Sequence, residues 1–287
     1  MNSRRLACVL GVVLWCVSLS GLCAPLDQAY ERVRATFAQK APLAPNPPVL
    51  NGDWQPAPFD PAPYTFTVEE VRANWNQFMR GLRLPYPSAD YLRARYQRFP
   101  DLYRDLRYQD DDWEQHSRNV LEVWQAFFRG DFRQARDLGR RYGGYARVPA
   151  VVAQIVYATY LAPTHEQKQQ LLQEAINDMA WFGETMVVLP GDQALEADYC
   201  MMRLGFGYAV ARLAEDESVP ATLQRNYAAM VINAATEMLA VEPEHPLALS
   251  LSAAFEANVL RRVGKTAGKF ALAADSEDAI APFEMAL

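Results

Sequence analysis

Between residues 112 and 243 the chain is cut into apolar-striped stretches by glycine and proline, and this punctuation restricts the fold more than any other feature. Stops at Gly130, Gly143-Gly144, Pro163, Gly183, Pro190-Gly191, Pro220 and Pro243 leave helical segments near 112–129, 131–141, 148–162, 164–182, 192–214 and 220–241. The gaps are short, so consecutive helices are expected to lie antiparallel. Only "ETMVVLPG" reads as a strand, and it is too short to support a sheet. The expected class is all-α.

Helical patterning starts earlier, at Thr67. Thr67 with Glu70 three residues on has capping-box spacing, and Val71, Trp75, Phe78 and Leu82 then form an apolar stripe. The following stretch, "YPSADYLRARYQRFPDLYRDLRYQDDDW", is dense in tyrosine and arginine. Arginine stems laid over tyrosine rings read as packing on a helix surface.

Ahead of the helices, eight of the 19 prolines fall between Pro42 and Pro63. Proline lacks the N–H that a helix or central strand needs, so this stretch should run extended. Trp54, Phe59, Tyr64 and Phe66 favour a strap over the surface, since a free linker seldom carries so many aromatics. A short helix is expected before it, over Leu26 to Lys40.

The first 23 residues, with Arg4-Arg5 ahead of an apolar run from Leu6 to Leu19, have the layout of a secretory signal peptide. The alternative is an uncleaved anchor, since the run is just short of a comfortable span. Cleavage after Cys23 removes Cys8, Cys16 and Cys23, leaving Cys200 as a buried small hydrophobe. It also removes Arg4 and Arg5, taking the net charge from −6 to −8, which disfavours nucleic acid as a partner. The expected organisation is a signal peptide (1–23), a short helix plus proline-rich segment (24–66), and a helical domain (67–287). The protein is expected in the periplasm or secreted, with no membrane span once the signal is removed.

The final residues, "EDAIAPFEMAL", resemble the second helix of a tetratricopeptide (TPR) repeat, with Ala279, Phe283 and Ala286-Leu287 at the family's spacing. Two weaker echoes are "RGDFRQARDL", where Gly130-Asp131-Phe132 makes the turn, and "EMLAVEPEHPLAL", where Pro243 closes a repeat and Pro246 opens the next helix. Gly139 and Tyr142 depart from the pattern, and Pro282 lies inside the best match. The resemblance implies an irregular TPR-like α-solenoid of antiparallel helix pairs behind the proline-rich strap. A TPR second helix continues further and ends under a polar cap, so the chain is expected to be truncated at Leu287.

Pro243 and Ala279 are 36 residues apart, more than a repeat of about 34 residues allows between those positions. The excess falls at "LRRVGKTAGKFALAADS". Arg261, Arg262, Lys265 and Lys269 there are the candidate ligand- or partner-binding residues, against the alternative of a solvated basic loop or a longer first helix.

Other chemistry finds no support. "GKTAGK" fails P-loop spacing, and "HEQKQ" places Gln169 where a zinc protease needs histidine. His116, His165 and His245 are isolated and read as surface or capping residues. Asp110-Asp111-Asp112 reads as a helix start, while a pairing of Glu196 with Asp198 is left open. No catalytic residue, metal site or cofactor is expected. The function expected is non-catalytic binding of a protein or peptide, a transport component among the candidates. The alternatives are a periplasmic small-molecule-binding accessory of a solute transporter, similar to the T component of TRAP transporters, and an unrecognised helical enzyme.

Overall fold

The computed structural model describes residues 53–103, 112–185 and 193–263. Among them the fold is all-α, with no strand. Helices α1 (Val68–Ala73), α2 (Trp75–Phe78) and α3 (Ala89–Arg98) lead into the longer α4 (Trp113–Phe128), α5 (Phe132–Tyr142), α6 (Arg147–Tyr160), α7 (His165–Thr185) and α8 (Gln193–Ala214). Then come the short α9 (Val219–Gln224), α10 (Tyr227–Val241) and α11 (Pro246–Val263). No helix among the described residues is long and apolar enough to cross a membrane.

The helix starts follow local chemistry. At Thr67 both capping-box bonds form: the Glu70 N–H donates to Thr67 Oγ1 (3.1 Å), and the Thr67 N–H to Glu70 Oε2 (2.8 Å). Ser88, Asp112 and Asp131 likewise accept from the third N–H of α3, α4 and α5. Pro246 opens α11 at the position where its missing N–H costs nothing. The expected 220–241 helix is split, because Asn226 turns left-handed (φ 59°) between α9 and α10. Asparagine tolerates that conformation better than other non-glycine residues.

From α3 to α8 each helix packs on the next, and α8, α10 and α11 continue the series. Alternate members α4, α6, α8 and α11 also touch in succession. The helices thus form two rows, one of which is continuous along its length. Gly139 sets the closest approach between α5 and α6: a β-carbon there would lie 2.4 Å from the Ala146 carbonyl oxygen and from Ala150 Cβ. The core runs unbroken from Trp75 and Trp124, packed edge to face at 6.0 Å, through Tyr157, Leu172 and Met179 to Val210. Each fully buried aliphatic side chain contributes about 1.5–3 kcal/mol. Cys200 is fully buried, as its apolar neighbours implied, in a small satellite cluster with Met238 and Ala248.

The tyrosine–arginine stretch departs from its surface reading. Leu92, Arg95 and Phe99 fall on one helical face and all three are buried, Arg95 to 1% exposure. Tyr103 is buried with them. A surface location holds for Arg93 and Tyr96.

Candidate functional site

From Asp53 to Phe66 the proline-rich segment lies on the helices, as its aromatics implied, and a 3-10 turn at Ala62–Tyr64 interrupts its expected extended run. At one end the Trp54 ring stacks on Tyr157 of α6, centroids 4.0 Å apart and planes at 19°. The next backbone N–H, of Gln55, donates to the Tyr157 hydroxyl at 2.9 Å. Arg136 of α5 brings its guanidinium within 5.7 Å of the Trp54 ring, and Arg133 reaches Asp53 at 3.4 Å. At the other end Phe66 packs among Phe78 and Phe128, and its carbonyl accepts from Gln125 Nε2 at 2.7 Å.

Between these anchors the strap crosses the α4–α5 turn at Gly130. Gly130 has φ 78°, and a β-carbon on it would meet Ala57 Cβ at 2.5 Å and the Phe59 ring at 2.6 Å. Glycine is therefore required twice over, by the left-handed backbone and by the passing strap. Phe59 and Tyr64 sit edge to face on each other with 43% and 48% of their surface exposed.

Beneath Trp54 the seat is braced by charge. Arg136 donates to Gln154 Oε1 (2.8 Å) and pairs with Glu174 Oε2 (3.0 Å), while Arg140 holds Glu174 Oε1 (2.6 Å). Gln154 Nε2 bonds both Glu174 and the Leu171 carbonyl, joining α5, α6 and α7. Burial raises the Glu174 carboxyl, but Arg140 and Arg136 outweigh it and hold the group below its ordinary range. Asp178, with Arg147 and Arg140 each at 3.6 Å, is instead raised, because burial outweighs the two cations.

A second polar constellation lies in the interior. Asp198 of α8 is fully buried and accepts from the Tyr91 hydroxyl and the Arg95 guanidinium on Oδ2, and from the Tyr145 hydroxyl on Oδ1 (2.7 Å). Arg95 Nε donates to Tyr103 at 3.2 Å, and its charge lies 4.9 Å from the Tyr145 ring. Burial, reinforced by the Asp198 charge, pushes Tyr91 and Tyr145 well above the ordinary phenol value, so both stay hydrogen-bond donors. The described partners of Asp198 come from α3 and the turn before α6, and the Glu196 side chain, its expected neighbour, lies outside the described residues.

Of the predicted binding residues, Arg261 is exposed and bonded to Asn258 of its own helix (2.9 Å). Arg262 turns inward and caps the end of α8, donating to the carbonyls of Ala214 (3.2 Å), Glu215 (2.6 Å) and Glu217 (3.5 Å). Lys265 and Lys269 lie outside the described residues, as do the 1–23 segment, the expected 26–40 helix and "EDAIAPFEMAL". Asp112 caps α4 as a helix-start residue, with Asp110 and Asp111 outside the description. His165 is a surface residue 3.4 Å from Asp216, and His245 caps α11. His116 departs from its surface reading: it is buried against Tyr103 and Trp113.

Sequence patterning had no means of finding the Tyr157 seat, because Tyr157 lies mid-helix among apolar residues and reads as core. The signal that pointed toward it was the aromatic content of the strap itself. No protein-family model, curated protein or solved structure matches the chain.

Proposed function

We propose that the protein is a non-catalytic, TPR-like helical scaffold that binds an extended protein or peptide segment, exported to the periplasm or beyond by residues 1–23. One observation carries the reading: the helices hold a proline-containing stretch of their own chain, irregular apart from a 3-10 turn at Ala62–Tyr64, by the means used for peptide ligands. A ring is clamped between Tyr157 and Arg136, a main-chain N–H is taken by a tyrosine hydroxyl, and a carboxylate is paired with Arg133. Proline-rich chain is well suited to this because it is already extended and loses little entropy on docking. The partner segment on this reading carries a tryptophan or tyrosine next to proline and an acidic residue. A transport component is one such partner.

The test uses a fluorescent peptide spanning residues 53–66 and the full chain with Trp54→Ala and Phe66→Ala, which free the strap at both ends. The variant should bind the peptide in the micromolar range, and more tightly than the wild type, whose strap competes. A folded variant that binds neither this peptide nor proline–aromatic sequences selected from a display library would overturn the reading.

A further inference from the structure

Cys200 on α8, Glu242 just past α10 and His245 just before α11 bring a thiol sulfur, a carboxylate oxygen and an imidazole nitrogen within 4.8 Å of one another. They come from α8 and from the α10–α11 turn, and Cys200 and His245 are 0% and 1% exposed. The hydrogen bonding of His245 is the independent sign that something belongs there. Its Nδ1 accepts from the Ala248 N–H at 3.3 Å, so in the neutral ring Nε2 carries the proton. That buried Nε2 has no hydrogen-bond partner among the described residues. A buried donor without an acceptor is uncommon in a folded protein and calls for a cause.

The geometry points to a binding site for a zinc-class divalent transition metal, held by Cys200 Sγ, His245 Nε2 and a Glu242 oxygen. The donor set selects the ion. Magnesium and calcium prefer oxygen alone, whereas sulfur with imidazole favours zinc and its neighbours. Three protein ligands leave a fourth tetrahedral position for water or a group from a partner. Ligand atoms around a four-coordinate zinc lie roughly 3.3–3.8 Å apart, so side-chain rotation need close the triad by only about 1 Å.

The protons balance simply. Cys200 gives up its 4.0 Å contact to the Met238 carbonyl, loses its proton to solvent and binds as thiolate. The ring proton of His245 moves from Nε2 to Nδ1, and the long contact to Ala248 is given up. The Ala248 N–H keeps the His245 carbonyl at 3.1 Å. Glu242 pairs with Arg83 through Oε1 and offers its other oxygen to the metal. Thiolate and carboxylate together neutralise the dication, while Arg83 remains as a positive charge that tempers the affinity. Bound metal would fasten α8 to the α10–α11 turn.

The experiment titrates the metal-free full chain with Co2+ as a spectroscopic probe of thiolate ligation, and with Zn2+ against a fluorescent chelator. One equivalent of Co2+ should produce a sulfur-to-cobalt charge-transfer absorption, which Cys200→Ser abolishes while weakening Zn2+ at least about tenfold. The serine variant also assigns the band to Cys200 rather than to Cys8, Cys16 or Cys23. His245→Asn retains a cap for α11 and removes the ring nitrogen, so an equal loss in that variant separates ligation from capping. A wild-type chain without a charge-transfer band, or variants that bind as tightly as wild type, would overturn the site. Should either variant fail to fold by circular dichroism, the cobalt spectrum of the full chain with Cys8, Cys16 and Cys23 all replaced by serine decides by itself: a charge-transfer band supports the site and its absence overturns it.

Discussion

Replacing Asp198 with alanine removes a carboxylate on which Arg95, Tyr91 and Tyr145 converge. Arg95 loses its Asp198 partner inside the core, and the Tyr91 and Tyr145 hydroxyls lose that acceptor. Breaking a buried pair from one side costs about 3–5 kcal/mol, and the orphaned hydroxyls place this variant at the upper end. Arg95→Met is milder, toward the lower end of about 3–5 kcal/mol, because Asp198 keeps both tyrosine donors. The double variant removes both charges of the pair, so its cost should be about 5 kcal/mol rather than the sum of the two, a coupling of about 3 kcal/mol. Against a total of about 5–15 kcal/mol for a domain of this kind, the three variants are compared by urea unfolding followed by circular dichroism. Additivity within about 0.5 kcal/mol, or a cost below 1 kcal/mol for Asp198→Ala, would refute the view that the two side chains act as one buried unit.

Gly130→Ala should loosen the strap, since a left-handed alanine costs about 1–2 kcal/mol and its methyl collides with Ala57 and Phe59; chymotryptic cleavage at Phe59 or Tyr64 should accelerate several-fold. Arg262→Met should lower stability by about 1–3 kcal/mol by exposing the end of α8 to unsatisfied carbonyls, without changing peptide affinity, as checked by melting and fluorescence titration. Burial, partly offset by Arg95, raises Tyr103 to about 12, and burial with the Glu237 charge does the same for Tyr199. An acid whose folded-state value is raised stabilises the fold at lower pH and loses that contribution as pH rises. Stability should therefore hold up to about pH 10, the free tyrosine value, and decline toward pH 12, as read by urea midpoints across that window.

The helical architecture was legible because its signals are local. Thr67 with Glu70, Gly130 with Asp131, and Pro246 each state a boundary within a few residues, and each boundary is found. What escaped was pairing between distant elements. Arg95 reads as a surface residue in any window around it, since the carboxylate that makes its burial tolerable lies on α8. Arg262 looked like part of a free basic patch for the same reason: its partners are backbone carbonyls of another helix. His245 was legible as a cap, yet nothing near it pointed to Cys200. The strap was legible as a strap through its rings, but its seat at Tyr157 was hidden inside an apolar helix.

The two-row stacking also bears on how the chain reaches this state. Most packing joins a helix to its neighbour in sequence, and contacts of that kind close small loops and form early. The Arg95–Asp198 and Tyr91–Asp198 bonds span 103 and 107 residues, and the Gln55–Tyr157 bond spans 102. Each requires two finished portions of the stack to meet. Disrupting these staples should leave the refolding rate nearly unchanged and speed unfolding, so their contribution is to how long the assembled stack survives.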